Sequence, residues 1–184
     1  MHLFMVRLNK FSNLSVSKPF SMKNLFLIRH AKSSWDNPIQ DINRSISARG
    51  IQDAHLIASK LVSFVPSSYI VWCSKAKRTI ETAYIFSDYL SIPLETIYFT
   101  EDLYTFDDKD LLKIIKKCKN VHDNLILFGH NEAITNFVNK FGDLYIENVP
   151  TSGVVALQFD SEDWGNISKG KTITTLFPSQ FKNE

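Results

Sequence analysis

The chain has 184 residues, 44% of them hydrophobic, with a formal net charge of +2. That is enough chain to bury a full core in one domain, and no apolar run approaches the ~20 residues a membrane-spanning helix needs. Two cysteines, Cys73 and Cys118, are too few for a disulfide framework or a zinc site, and their apolar neighbours predict buried free thiols in a reducing, cytoplasmic setting.

The net charge comes from one end. Residues 1–22 carry Arg7, Lys10 and Lys18 and no acid, and the rest is neutral to within one charge. No basic stripe is interleaved with aromatics, so nucleic acid is not an expected partner. Residues 1–22 are Ser-rich and lack the pattern of the rest. They read as a disordered extension or an upstream start, with Met22 directly before the first strand and residues 23–184 as a single domain.

Leu25-Phe26-Leu27-Ile28 is a short apolar run, the mark of a strand buried on both faces. It ends abruptly at Arg29-His30, where a parallel sheet would present its carboxyl edge. The Ser-, Asn- and Pro-containing stretch from Ala31 to Pro38 is a loop. A helix is expected from about Ser47 to Pro66, with Ile51, Ala54, Ala58, Leu61 and Val65 on one face. Tyr69–Cys73 is a second buried strand. Ser74 is the expected N-cap of a helix over about Lys75–Leu90, with Ile80, Ala83 and Tyr84 inward. Arg78 falls in its first turn, and helical side chains lean toward the N-terminus, so it should reach back over the sheet edge.

Thr96–Phe99 is a short strand. Asp107, Asp108 and Asp110 open a helix whose face is Leu111, Ile114, Ile115 and Cys118, and the lysines at its far end complement the helix dipole. Asn124–Phe128 is another buried strand, ending in Gly129-His130-Asn131. His130 thus takes the same architectural place as His30. Asn131 would cap a helix with Ala133, Ile134, Phe137, Val138 and Phe141 inward. Strands follow at Val154–Phe159 and Thr172–Phe177. Strands alternating with helices predict an α/β fold, three αβα layers around a mostly parallel sheet.

Several chemistries are excluded. The six glycines support neither G-x-G-x-x-G nor a Walker A loop, and G-x-S-x-G is absent. The histidines lack metal-ligand spacing, so neither a metal nor another cofactor is expected. Cys73 and Arg78 flank a strand–helix turn, but only Ser74, Lys75, Ala76 and Lys77 separate them. A cysteine-phosphatase loop needs five residues there, so Cys73 is expected to be a core residue.

What remains is Arg29, His30, Arg78 and His130 at one sheet edge, two guanidiniums and two imidazoles suited to a dianion. Leu27-Ile28-Arg29-His30-Ala31, Ser74–Ala83 and Phe128-Gly129-His130-Asn131 resemble, in order and spacing, the histidine phosphatase superfamily with its phosphoglycerate-mutase-like fold. Lys32-Ser33-Ser34-Trp35 and Pro150-Thr151 look most like its SixA-type phosphohistidine phosphatase branch. The resemblance implies that His30 is a nucleophile forming a phosphohistidine intermediate, that Arg29, Arg78 and His130 hold the phosphoryl oxygens, and that no metal is needed. It also implies a phosphorylated protein or a small phosphorylated metabolite as substrate. Many phosphomonoesterase members have a Glu where Leu103-Tyr104-Thr105 places Thr105; Glu101, Asp102 and Asp36 are the substitutes to test. The chain between Arg78 and His130 is consumed by regular elements, leaving no room for a lid domain. The alternatives are a small-molecule phosphomonoesterase and a non-catalytic phosphate-binding adaptor.

Overall fold

The structure is a computed structural model that describes residues 22–35 and 38–182. The extension expected over residues 1–22 therefore lies outside the described residues except for Met22. Six strands form one sheet: β1 (Lys23–Arg29), β2 (Ile70–Ser74), β3 (Ile97–Thr100), β4 (Asn124–Gly129), β5 (Val154–Phe159) and β6 (Lys171–Leu176). Their order is β3-β2-β4-β1-β5-β6, with β3, β2, β4 and β1 mutually parallel. β5 runs antiparallel to β1, and β6 antiparallel to β5.

Successive strand residues point to opposite faces, so each central strand feeds two cores. Leu25, Leu27, Leu125, Leu127, Val155 and Leu157 pack on one face with α3 (Asp108–Ile115) and α4 (Ala133–Phe141). Phe26, Ile28, Ile126, Phe128, Val154 and Ala156 pack on the other with α1 (Ala48–Leu61) and α2 (Lys77–Leu90). This is the three-layer α/β arrangement that the alternation of elements predicts, and its length of unbroken apolar strand follows from burial on both sides. Among the described residues, no helix is long and apolar enough to cross a membrane.

Some local expectations shift. α1 starts as expected, with Ser47 Oγ accepting from the Gly50 N–H, but it stops at Leu61 rather than Pro66. Ile51 and Tyr84, expected inward, are exposed, while Ile57 and Phe86 fill the core. Ala54, Ala58, Leu61 and Ala83 are buried as expected, so each stripe keeps its centre and changes only at its edges. Ser74 does not cap α2: it is the last residue of β2, and the cap position is Ala76, with no side-chain cap bond. Asn131 still serves the start of α4, its Oδ1 accepting from the Thr135 N–H at 3.2 Å and the Thr135 hydroxyl at 2.8 Å.

The loop after β1 is tied down on both sides. The Lys32 carbonyl accepts from the Ser47 N–H at 2.7 Å, Ser34 N–H donates to Ser45 O at 2.9 Å, and Ala31 N–H donates to Thr82 Oγ1 at 2.9 Å. Gly50 is required for this: a Cβ there would lie 2.2 Å from the Lys32 carbonyl oxygen.

Candidate active site

Strand register brings the site together. β1 and β4 pair with Arg29 opposite Gly129, so His30 and His130 leave neighbouring parallel strands at the same height. The His30 N–H donates to the Gly129 carbonyl at 3.0 Å. β2 flanks β4 on its other side, with Cys73 opposite Phe128. The turn that follows delivers Arg78 from the first turn of α2 to the same edge. Three adjacent carboxyl ends thus supply the four expected residues, Arg29 and His30 from β1, Arg78 after β2 and His130 after β4.

Arg78 lies at the centre, only 2% exposed. Its Nε–H points at His30 Nε2 at 3.3 Å, and its Nη2 reaches His130 Nδ1 at 3.4 Å. The two imidazole centroids are 5.2 Å apart. His30 Nδ1 sits 2.8 Å from the Ala31 carbonyl oxygen, which only accepts. Nδ1 therefore carries the hydrogen, and the unprotonated Nε2 accepts from Arg78 Nε–H. In His130, Nδ1 faces the donating guanidinium, so Nε2 carries the hydrogen and donates to Ser74 Oγ at 2.8 Å.

Arg29 lines the same cleft but is anchored sideways. Its Nη1 donates to Val149 O at 2.7 Å and Asn148 Oδ1 at 3.3 Å, and its Nε is buried without a protein partner. An oxyanion at the cleft floor is the kind of acceptor that Nε lacks.

Burial, more than neighbouring charge, keeps His30 neutral. Desolvation lowers its pKa from 6.5 to about 4, with Arg78, Arg29 and Arg44 adding to the effect and the Ala31 hydrogen bond opposing it. Repulsion by the arginines is thus secondary. His130 is brought down to about 2, again first by burial, then by His30 and Arg78. Cys73 is buried in the core and free, and burial pushes its thiol pKa up, as expected of a packing residue.

The cleft has a volume of about 560 Å³ and also includes Lys32, Ser33, Trp35, Asn131 and Thr151, which lie in the sequence motifs, and Asp41, Arg44, Tyr104 and Phe106, to which the sequence assigned no role. Asp41 is central among them. Its Oδ2 pairs with Arg78 Nη2 at 2.9 Å, its carbonyl accepts from Nη1 at 2.6 Å, and its Oδ1 pairs with Arg44 Nη2 at 2.7 Å. The Tyr104 hydroxyl donates to Oδ2 at 2.5 Å. Burial pushes the Asp41 pKa up, but Tyr104, Arg78 and Arg44 outweigh it and bring it down to about 2. The spacing Asp41-x-x-Arg44 in a polar loop was the available signal, and it carries little information alone.

Two of the three expected proton donors, Glu101 and Asp102, are elsewhere. Glu101 pairs with Lys75 at 3.3 Å and Asp102 with Lys117 at 3.4 Å, all four exposed. Neither acid lines the cleft. Asp36 lies outside the described residues.

The two depressed imidazoles make a pH prediction. Below about pH 6.5 the unfolded chain binds protons at both rings that the folded chain excludes, so the unfolded state binds more protons and stability falls with pH. The window runs from 6.5 down through about 4 for His30 and about 2 for His130. Each ring contributes up to about 1.4 kcal/mol per pH unit. Urea melts between about pH 7 and about pH 5 should show a falling midpoint, less steep in His130→Gln; equal slopes in the two proteins would contradict the burial of a neutral ring.

The comparisons agree with this geometry. The profile of the histidine phosphatase superfamily (branch 1) matches residues 25–103. An uncharacterized protein of Mycobacterium leprae is 30% identical over 156 residues, 83% of this chain and 82% of that one. SixA from Nakamurella multipartitia superposes with a TM-score of 0.74 at 17% identity, covering 88% of this chain and 99% of that chain. The protein histidine phosphatase SixA complexed with tungstate superposes with a TM-score of 0.72 at 17% identity, covering 86% and 99%. Identities that low speak to the fold, while the profile spans both the Arg29-His30 strand end and Arg78. By sequence profile, fold and the placement of its imidazoles and guanidiniums, the chain belongs to the histidine phosphatase superfamily and is a phosphatase.

Proposed function

We propose that the protein is a SixA-type phosphatase that removes the phosphoryl group from phosphohistidine in proteins, without a metal, through a phosphohistidine intermediate on His30. One observation supports this above the others: among the described residues, the cleft has an unprotonated imidazole nitrogen beside a guanidinium but no carboxylic acid able to give up a proton. Asp41 is the only carboxylate among the described residues lining it, and it is held ionised.

That combination suits a P–N bond. His30 Nε2 attacks phosphorus, forming a new P–N bond as the substrate's P–N bond breaks and its electron pair returns to the leaving ring. A phosphohistidine protonated on its other nitrogen departs as neutral imidazole, so no acid is required. The bond made and the bond broken are alike, and His30 then has the same protonated form that its partner had. Water next adds to phosphorus, the P–Nε2 bond breaks, and the water's protons leave with phosphate. An alkoxide leaving from a phosphate ester would need a proton at departure, which no carboxylate among the described cleft residues supplies. Arg29 and Arg78 are the donors for charge on the phosphoryl oxygens, which is the task a metal would otherwise perform, and His130 joins them in its other tautomer, with Nδ1–H toward the phosphoryl group and Nε2 accepting from the Ser74 hydroxyl. In this proposal residues 23–184 act as a single domain in a reducing cytoplasm, where two free thiols persist.

The test is a comparison of kcat/KM for a phosphohistidine-bearing protein against a panel of sugar phosphates, with and without a chelator. Preference for the protein, unaffected by chelation, is the expected result. A strong preference for sugar phosphates would turn the assignment to a small-molecule phosphomonoesterase, and binding without turnover to an adaptor.

A further inference from the structure

The cleft has two chemically different parts. Its floor is cationic, formed by Arg29, Arg78 and the imidazole of His30. Its rim is aromatic: Trp35, Tyr104 and Phe106 line the same opening. Trp35 is 77% exposed and Phe106 48% exposed. Large rings left open beside a strongly polar site have no packing explanation, because the core on either sheet face would bury them at a gain.

Each ring is nevertheless held. The Arg44 guanidinium carbon lies 3.5 Å from the centroid of Trp35, covering one face of the indole. Arg44 is itself fixed by Asp41. Phe106 packs edge-on against Tyr104 at 5.4 Å and lies 5.5 Å from the His130 ring. Tyr104 in turn meets His130 edge-on at 5.1 Å and donates to Asp41. The stack on Arg44 accounts for one face of Trp35 only. The rim is therefore pre-positioned by the same network that sets the phosphate-binding floor, with ring surface still presented at the opening.

We infer that Trp35 and Phe106 form the leaving-group subsite, and that this subsite selects a planar ring attached to the phosphoryl group. The inference rests on the proposal that the cleft is a phosphatase site and names the substrate class within it. With the phosphoryl group on the cationic floor, the group it departs from must point toward the opening, where the described lining is the flat surface of these rings, the polar Ser33, Asn131 and Thr151, and the charged Lys32, with Asp41 and Arg44 paired to each other. An imidazole stacks there at little entropic cost. When protonated it is also a cation, attracted to an indole or phenyl face and not to the guanidiniums below.

Four substrates separate ring recognition from bond preference: phosphoimidazole (P–N, ring), phosphoramidate (P–N, no ring), phenyl phosphate (P–O, ring) and glycerol phosphate (P–O, no ring). For each, kcat/KM of the variant is divided by that of the wild type, so intrinsic leaving-group reactivity cancels. Trp35→Ala should lower this ratio for the two ring substrates by about 3- to 10-fold relative to the two without rings, with Trp35→Phe recovering most of the loss and Phe106→Ala repeating the pattern. A parallel fall on all four would mean that Trp35 serves only to cover Arg44, and no change on any would mean that it serves neither purpose; each overturns the inference. Failure of the P–N proposal would show separately, as faster wild-type turnover of both esters than of both phosphoramidates.

Discussion

Replacing His30 with alanine should abolish phosphate release, by about 10⁴-fold or more, while leaving the chain folded. A nucleophile in a site that acts as a unit has no substitute, and what remains is binding and charge stabilisation without a bond to form. The fold should survive because the backbone at this position does the structural work: the His30 N–H bonds to Gly129, and Ser152 N–H donates to the His30 carbonyl at 3.3 Å. The ring itself is a buried neutral imidazole whose desolvation is a cost to stability in acid, so its removal should even soften the fall in midpoint described above. Steady-state phosphate release with a coloured substrate, circular dichroism and a thermal melt check both halves. A companion measurement identifies the intermediate: labelled substrate, rapid quench, then exposure of the protein to acid and to base. An adduct on nitrogen is lost in acid and kept in base, and it should be absent from His30→Ala. Retained hydrolysis in that variant, or an acid-stable adduct in the wild type, would remove His30 from the role.

The histidines and Arg78 were legible from the sequence because each follows a strand or opens a helix whose apolar pattern is unambiguous. Four consecutive apolar residues before Arg29, and five from Leu125 before His130 if Gly129 is included, fix where a buried strand meets solvent. That the two strands are neighbours, with Arg29 beside Gly129, is not in either segment. Register between elements a hundred residues apart depends on the whole packed sheet, and only the resemblance to a known family supplied it in advance. Asp41 was invisible for another reason. It lies in a short 3-10 turn, Asp41–Asn43, with no periodicity, and its importance comes from Arg78 and Tyr104, which reach it from 37 and 63 residues away. Ser74 shows the converse: a serine before a helix is a good cap in general, but here the strand runs one residue longer and turns its hydroxyl to His130. The main cause of the His30 shift is hidden likewise, since charge can be counted along a chain and burial cannot.

Arg78→Ala should be the next most damaging change, lowering kcat/KM on the order of 10³-fold, and its coupling to Asp41 should be visible in the sign of a second mutation. The guanidinium has two tasks. It is a donor to the phosphoryl group from a position beside both imidazoles, and it neutralises the carboxylate of Asp41, 2.9 Å from its Nη2. Deleting it removes the donor and also leaves an ionised carboxylate facing an incoming dianion. Like charges in a partly buried cleft repel strongly, so part of the loss belongs to Asp41 and not to the missing arginine. In the Arg78→Ala background, Asp41→Asn should therefore recover activity by about tenfold, the equivalent of roughly 1.4 kcal/mol. In the wild-type background the same substitution should act in the opposite direction. There, Asp41 holds Arg78 through two contacts, anchors Arg44 and orders Tyr104, and an amide can neither pair with two guanidiniums nor hold the Arg78 fork against His30 as firmly. A loss of about tenfold in kcat is expected, with the acid limb of the rate profile moved as Arg78 loosens beside His30. The double-mutant cycle in kcat/KM settles it. If Asp41→Asn changes activity by the same factor with and without Arg78, the carboxylate neither positions the arginine nor repels the substrate, and its place at the centre of the cleft has another cause.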